Sequence, residues 1–378
     1  MVALLDGLGA GVIIPLLPFL VMHFGGSPAL VTQLVASYCL AGFLGSFWIG
    51  RWSDRFGRAP VLVCSLALTI LAYLGMVFSW TLIGVFAFRV MAGFLIGRAG
   101  ILRTLATDGM SSEIQVRRIG WLAGLAAIGT TLGPIVASVL SLTGYDGLML
   151  YRATIGLAIL VLILTLAAAL LAFKGEGRRE IGIDRLPRPS FRLLLSPLAR
   201  PLTLTALTGV AQGVVMSVTA LFGHARFGWG AAETGVASAC IAAGLALGRI
   251  VMLPRLSKTL GGDRALMLSL TVTILAMIAV GLSSSPVSFL VSNLVFSCGL
   301  GVCGVLPTTF VSASAPAAHR GAALGANEGL LTLGIAISAS TSGLWFEWFG
   351  PPAPYVVGAL ALAAALALAR AAPRRVRD

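Results

Sequence analysis

Ionisable side chains inside long apolar segments are the first candidates for chemistry in this sequence. Asp6 lies in an apolar stretch near the start, and Arg89 lies well inside another. A charge at the centre of a bilayer costs about 2.5–3.5 kcal/mol on insertion scales, so such residues face a cavity or a partner. A carboxyl group placed there can load and release a proton or bind substrate. The alternative for Asp6 is a position near the membrane rim with no transport role. Arg89 cannot deprotonate. It can hold a buried acid ionised, bind an anionic group, or serve only as a structural partner. Arg98 falls near the end of the same segment, where a long side chain reaches toward the headgroups. In the second half, Asn327 and Glu328 fall within an apolar stretch, and Glu328 is the candidate for coupling or cation binding. Its alternative is a rim position paired with Arg320. Gln212 and Asn293 are substrate contacts or plain interhelical hydrogen bonders.

Other patterns carry no chemistry. His23, His224 and His319 have no metal-ligand spacing. Gly299, Gly301 and Gly304 spell a dinucleotide fingerprint, but inside an apolar helix with no preceding strand, so its context fails and close packing explains it. The five cysteines lie in apolar segments and read as small packing residues, not as a disulfide framework or zinc site. No phosphate-binding loop is present, and no cofactor is expected. No His, Asp or Cys cluster supports a membrane enzyme.

The elements that position these residues follow from composition. Of 378 residues, 58% are hydrophobic and only 10% are charged, with 46 glycines besides. Typical soluble proteins are roughly 25% charged. So few charges cannot cover a water-facing surface, which excludes a soluble enzyme, a secreted disulfide scaffold and a disordered chain. A spanning helix needs about 20 mostly apolar residues. Twelve such segments are predicted, at 2–22, 29–50, 59–78, 80–101, 117–141, 149–173, 201–223, 231–253, 264–283, 286–310, 321–344 and 352–371. Ser27-Pro28 and Ser285-Pro286 read as helix caps followed by a first-turn proline, and Pro201 and Pro352 also mark starts. No cleavable signal peptide is expected, because the first stretch carries Asp6 and lacks a basic leader.

The net charge is +13. With both termini in the cytoplasm, only Arg152 and Arg226 of the 26 basic side chains fall outside, and Arg89, Arg98 and Arg249 stay within helices. This placement makes the charge a topology signal and a contact for anionic lipid, not a nucleic-acid surface. The most polar stretch, 174–200, reads as a cytoplasmic linker between an N-terminal bundle, 1–173, and a C-terminal bundle, 201–378, with a short basic tail. Residues 51–79 align without a gap on 255–283, with identities that include Arg51/Arg255, Ser53/Ser257, Gly57/Gly261, Ser65/Ser269 and Thr69/Thr273. Two parallel repeats are a transporter architecture with the substrate site at their interface.

Several motifs stand in order along this frame. The loop after the second helix reads Gly50-Arg51-Trp52-Ser53-Asp54-Arg55-Phe56-Gly57-Arg58. The first helix has Leu5-Asp6-Gly7 and then Pro15 and Pro18. The fourth has Arg89 and Gly93, and the fifth has Gly129, Gly133 and Pro134. Together they resemble the major facilitator superfamily, in the manner of its drug:proton antiporters and tetracycline-resistance efflux proteins. The resemblance implies an all-α membrane protein of twelve transmembrane helices in two six-helix repeats. It also implies that the loop bearing Asp54 lies against the start of the eleventh helix when the cytoplasmic side is closed. Asp54 would cap that helix, and Arg58 would pair with Asp108, so that Gly50, Asp54, Arg55, Gly57, Arg58 and Asp108 form a conformational gate. Gly129, Gly133 and Pro134 would bend the fifth helix beside the central cavity. The second repeat has Lys258 where Asp54 stands in the first.

The reading is a monomeric secondary transporter in the plasma (bacterial inner) membrane. It works by alternating access and expels a small amphipathic or lipophilic compound in exchange for protons. The alternatives are a metabolite carrier, including an importer, and a non-transporting sensor or assembly protein that retains the fold. The charge asymmetry has a direct test. A thiol-specific, membrane-impermeant reagent applied to intact cells is expected not to label Arg185→Cys. Efficient labelling would overturn the orientation.

Overall fold

The computed structural model describes residues 2–13, 17–107, 112–141, 147–172, 198–315 and 320–371. They are helical, and no strand occurs among them. Eleven helical spans are long and apolar enough to cross a membrane, and the apolar part of a twelfth helix, Ile128–Leu140, is shorter. The order matches the twelve predicted segments. Large apolar side chains stay exposed along them, Ile83 at 83% among them, as lipid contact requires and water would penalise.

By contact the chain forms two compact units. The first comprises Met1–Asp184 and Gly223–Ala242. Its spans are α1 (Val2–Ile13) with α2 (Leu17–His23), then α3 (Pro28–Phe56) and α4 (Arg58–Phe78). Next come α5 (Leu82–Leu95) with α6 (Arg98–Thr107), then α7 (Ser112–Ser141) and α8 (Gly147–Ala172). The turn that follows α9 (Ala199–Phe227) packs with this unit. His224 meets Phe19 edge-on at 6.0 Å, and the Ser138 hydroxyl donates to the Ala232 carbonyl.

The second unit comprises Arg185–Phe222 and Ala243–Asp378. Beyond its share of α9 and α10 (Ala231–Leu247) it holds α11 (Leu253–Leu260), α12 (Gly262–Gly281), α13 (Pro286–Cys303), α14 (Leu306–Ser314), α15 (Arg320–Phe349) and α16 (Ala353–Arg370). A π-helical segment, Gly248–Met252, joins α10 to α11. Phe222 stacks on Phe289 at 4.9 Å, and Tyr355 meets Phe222 edge-on at 5.4 Å. These three fully buried rings form an aromatic cluster in its core.

Three local expectations change. Ser285 makes the predicted cap, in a box with Ser288, whereas Ser27 makes no side-chain cap bond and Pro28 alone marks the start of α3. The stretch Gly50–Arg58 is not a loop. α3 runs helically to Phe56, and the turn is the single residue Gly57, at φ 96°. Only glycine adopts such an angle without strain. Gly261 makes the same one-residue turn between α11 and α12 at φ 77°. Each turn glycine donates to the carbonyl four residues back, Ser53 and Ser257 respectively, so the sequence repeat is a structural one. The linker 174–200 lies outside the described residues up to 197, and its end already belongs to α9.

Glycines decide how closely the first unit packs. Gly7 and Gly11 of α1 face Gly129 and Gly133 of α7, each pair four residues apart and thus on one helix face. A Cβ on Gly129 would sit 2.8 Å from the Leu8 amide nitrogen, and one on Gly11 would sit 2.8 Å from the Thr130 carbonyl. Pro134 cannot donate to that carbonyl, yet α7 continues as one helix through it. Gly129→Val is therefore expected to cost about 1–3 kcal/mol of stability, the range for an overpacked core. Gly156→Ala, which meets nothing within 4 Å, is expected to leave stability unchanged or slightly raised. Unfolding in detergent compares them, and equal stability of the two variants would contradict this packing.

Candidate functional site

The polar cluster of the first unit starts from a break in a helix. α5 ends at Leu95 and α6 begins at Arg98, with a tight turn at Ile96–Gly97 closed by Ile96 N–H to the Gly93 carbonyl at 3.0 Å. Glycines make the turn possible. A Cβ on Gly97 would lie 2.7 Å from the Ser46 Cα, and one on Gly42 would lie 2.7 Å from the Ile96 side chain. In an unbroken α-helix, residues nine apart point to roughly opposite faces. The break brings both Arg89 and Arg98 toward the same tyrosines, Tyr38 of α3 and Tyr73 of α4.

Arg98 is therefore not a rim residue reaching for headgroups. It is 5% exposed. Its Nη2 donates to the Asp6 carboxylate of α1 in a short ion pair. Its Nη1 donates to Thr69 Oγ1 of α4 at 2.9 Å and to the Leu95 carbonyl at 3.0 Å. Thr69 is itself tied down, donating to the Ser65 carbonyl at 2.7 Å. Four elements thus converge on one guanidinium.

Arg89 is 2% exposed and its guanidinium carbon sits over the Tyr38 ring, 4.0 Å from the centroid. It also bonds Tyr73, and Tyr151 of α8 lies within its field. Its Nε and Nη1 have no hydrogen-bond partner, and no carboxylate pairs with it among the described residues. Asp6, Tyr38, Thr69, Tyr73 and Arg98 line one cavity of about 190 Å³, with Ala126 and Thr130 of α7 on its wall. Gly7, which lets α1 approach α7, lines it too.

The other predicted residues do not join this cluster. Glu328 is exposed on α15, not buried, and its charge acts on Arg249 of the π-helical segment. The Arg320 side chain lies outside the described residues. Asn327, next in sequence, is 1% exposed and cross-links three helices. It accepts from Thr205 at 2.6 Å and donates to Thr308 at 2.9 Å. Asn293 donates to Phe289 of its own helix at 3.0 Å, and Gln212 is half-buried on α9. Of the proposed gate, Arg55 stacks over Phe56 at 5.4 Å, and the Gly50 carbonyl accepts from the Ser53 hydroxyl at 2.8 Å. Arg58 is half-buried. The Asp54 side chain and all of Asp108 lie outside the described residues. The G-x-G-x-x-G of α13 packs, with Gly299 facing Thr273 and Gly301 facing Gly248.

The pair is expected to be felt in stability. Asp6→Ala strands Arg98, 6% exposed, while Arg98→Ala strands Asp6, 15% exposed, so the first variant is expected to be the less stable. Breaking a buried pair costs about 3–5 kcal/mol. The double variant is expected to recover about 1–3 kcal/mol relative to the sum of the singles. Strictly additive effects on unfolding would show that the two side chains do not interact.

Comparison with known proteins agrees with this arrangement of helices. The family model of the Major Facilitator Superfamily matches residues 1–339 and 205–378. The chain is 27% identical over 243 residues to the class B tetracycline resistance protein of Escherichia coli, a match covering 62% of this chain and 59% of that protein's length. It is 26% identical over 306 residues to the class C protein of Escherichia coli, covering 79% and 76%. Its fold superposes on the crystal structure of a D-xylose-proton symporter with a TM-score of 0.81, over 98% of this chain and 96% of that one, at 16% identity. The chain is a multi-pass integral membrane protein and belongs to the major facilitator superfamily.

Proposed function

We propose that the protein is a proton-coupled exporter of a small amphipathic or lipophilic compound, working by alternating access in a bacterial inner membrane with both termini in the cytoplasm. The observation that carries this reading is Asp6, a carboxylate on an apolar span, ion-paired with Arg98 at the wall of a cavity. Asp6 is the proton carrier. When it takes a proton its charge is lost, and Arg98 keeps only Thr69 and the Leu95 carbonyl. The pair therefore has two states that differ by one proton, as an exchanger needs. Similarity to tetracycline resistance proteins supports the direction, outward, and the class of cargo. The basic side chains that flank the helices on one side support the orientation and a contact with anionic lipid. The protein acts as a monomer in this reading.

A second reading has its own support. The chain is 33% identical over 165 residues to the arabinose-proton symporter of Escherichia coli (strain K12), over 34% of that protein. This favours a metabolite carrier that imports with the proton. One assay separates the two. In proteoliposomes with an imposed pH gradient, a panel including tetracycline and arabinose is followed in both directions. Exchange against protons is expected, with Asp6→Asn reducing gradient-driven flux at least about tenfold, equivalent to 1.4 kcal/mol. Flux in the same direction as protons would select the importer. Wild-type flux in Asp6→Asn would remove Asp6 from the coupling path.

A further inference from the structure

We infer that the cavity of the first unit is a binding site for an anionic group, and that the exported compound carries one. The class is a small monoanion with an apolar body, such as an aromatic carboxylate. The word "exported" rests on the transport reading above, whereas the site itself does not.

Two guanidinium groups, Arg89 and Arg98, share this cluster with one carboxylate, Asp6, among the described residues. Arginine does not shed its proton in a protein. The cluster therefore holds one cation in excess at low dielectric, where an uncompensated charge is strongly unfavourable. A bound monoanion balances it.

Arg98 Nε and Arg89 Nε and Nη1 are buried N–H groups with no hydrogen-bond partner. Buried donors are normally satisfied, and those that are not mark a function. Arg98 lines the cavity directly. Arg89 stands one layer behind it, against Tyr38 and Tyr73, which line it too. Of the neutral groups around the charges, Tyr38 and Tyr73 offer hydroxyls to a carboxylate, whereas the Thr69 hydroxyl is already donated to the Ser65 carbonyl. Ile96, Leu102 and Leu162 offer an apolar wall to the rest of the ligand.

The cavity measures about 190 Å³. A dry engineered cavity of about 150 Å³ holds benzene, so this one takes an aromatic ring with a carboxylate attached.

The internal repeat supplies a comparison. Thr273 is the counterpart of Thr69 and makes the same bond to its own helix, at 2.6 Å to the Ser269 carbonyl. It faces the Cys303 sulfur at 3.9 Å, where Thr69 faces a guanidinium. The two halves share the scaffold threonine, and the charged ligand set belongs to the first half.

Asp6 occupies Arg98 as an anion from within the chain would. An incoming anion competes with it, which gives the test its sign. Purified protein in lipid nanodiscs is titrated with benzoate, benzamide and benzamidine, which have nearly one size and carry charges of about −1, 0 and +1 near neutral pH, as expected for a carboxylate, an amide and a guanidinium-like group. Benzoate is expected to bind at least about tenfold more tightly than the other two, equivalent to 1.4 kcal/mol. Asp6→Asn keeps a hydrogen-bond acceptor, removes the competing charge, and is expected to tighten benzoate severalfold. Arg98→Gln is expected to abolish the preference, and Arg98→Lys to restore part of it. Equal affinities, or benzamidine tightest, in both the wild type and Asp6→Asn would overturn the inference, as would no binding of any of the three. Gradient-driven flux of uncharged compounds alongside such a failure would leave the transport reading standing. Benzoate binding without flux of any compound would leave the site standing and remove the transport reading.

Discussion

A guanidinium that cannot lose its proton, held out of water, must be answered by negative charge. That constraint organises the first half of this molecule. Arg98 is answered by Asp6 from the first helix, by Thr69 from α4 and by a carbonyl of its own turn. The partners come from helices far apart in sequence, so the bundle has to be assembled before the charge is satisfied. The same constraint makes the pair responsive. Any event that neutralises Asp6 or brings another anion changes the balance at Arg98, and through it the contacts of three helices.

Close backbone approach is what allows the pair to form. Side chains of ordinary size at Gly7, Gly11, Gly129 or Gly133 would push α1 from α7 and carry Asp6 away from Arg98. Glycine at 97 lets the chain turn against α3, and the turn aims Arg98 inward. Lipid gives no hydrophobic drive for helices to associate, so tight packing of small residues supplies the attraction. Here the glycine faces that hold the bundle also position its charge.

Much of this was legible in the sequence. Few charges and long apolar runs gave twelve spans, and the repeat at Arg51–Ser79 anticipated that the two connections match, though as loops and not as the single-residue turns at Gly57 and Gly261. Asp6 was visible as a charge where charge is expensive. Its partner was not. Arg98 reads as a rim residue because a straight helix puts it near the end and opposite Arg89. Only the turn at Ile96–Gly97 reverses that, and the signal for it, Gly93 and Gly97 four apart, looks like ordinary helix packing. Glu328 is exposed where its apolar stretch implies burial. Its neighbours are apolar, but on α15 the buried face belongs to Asn327 and the next residue points away from it. Linear hydropathy registers the stretch and not the face. The polar contacts of Asn327 with Thr205 and Thr308 join residues that sequence spacing cannot relate.

The most direct measurement is the separation of the Asp6 carboxyl carbon and the Arg98 guanidinium nitrogens in lipid bilayers, by dipolar recoupling in solid-state NMR on ¹³C,¹⁵N-labelled protein. Asp6→Asn and Arg98→Lys samples assign the two signals. An ion pair predicts a carbon–nitrogen contact within about 4 Å, present in the resting protein and lost from the Arg98→Lys spectrum. Absence of coupling between the two groups, with the guanidinium protons exchanging freely with water, would contradict the account at its centre.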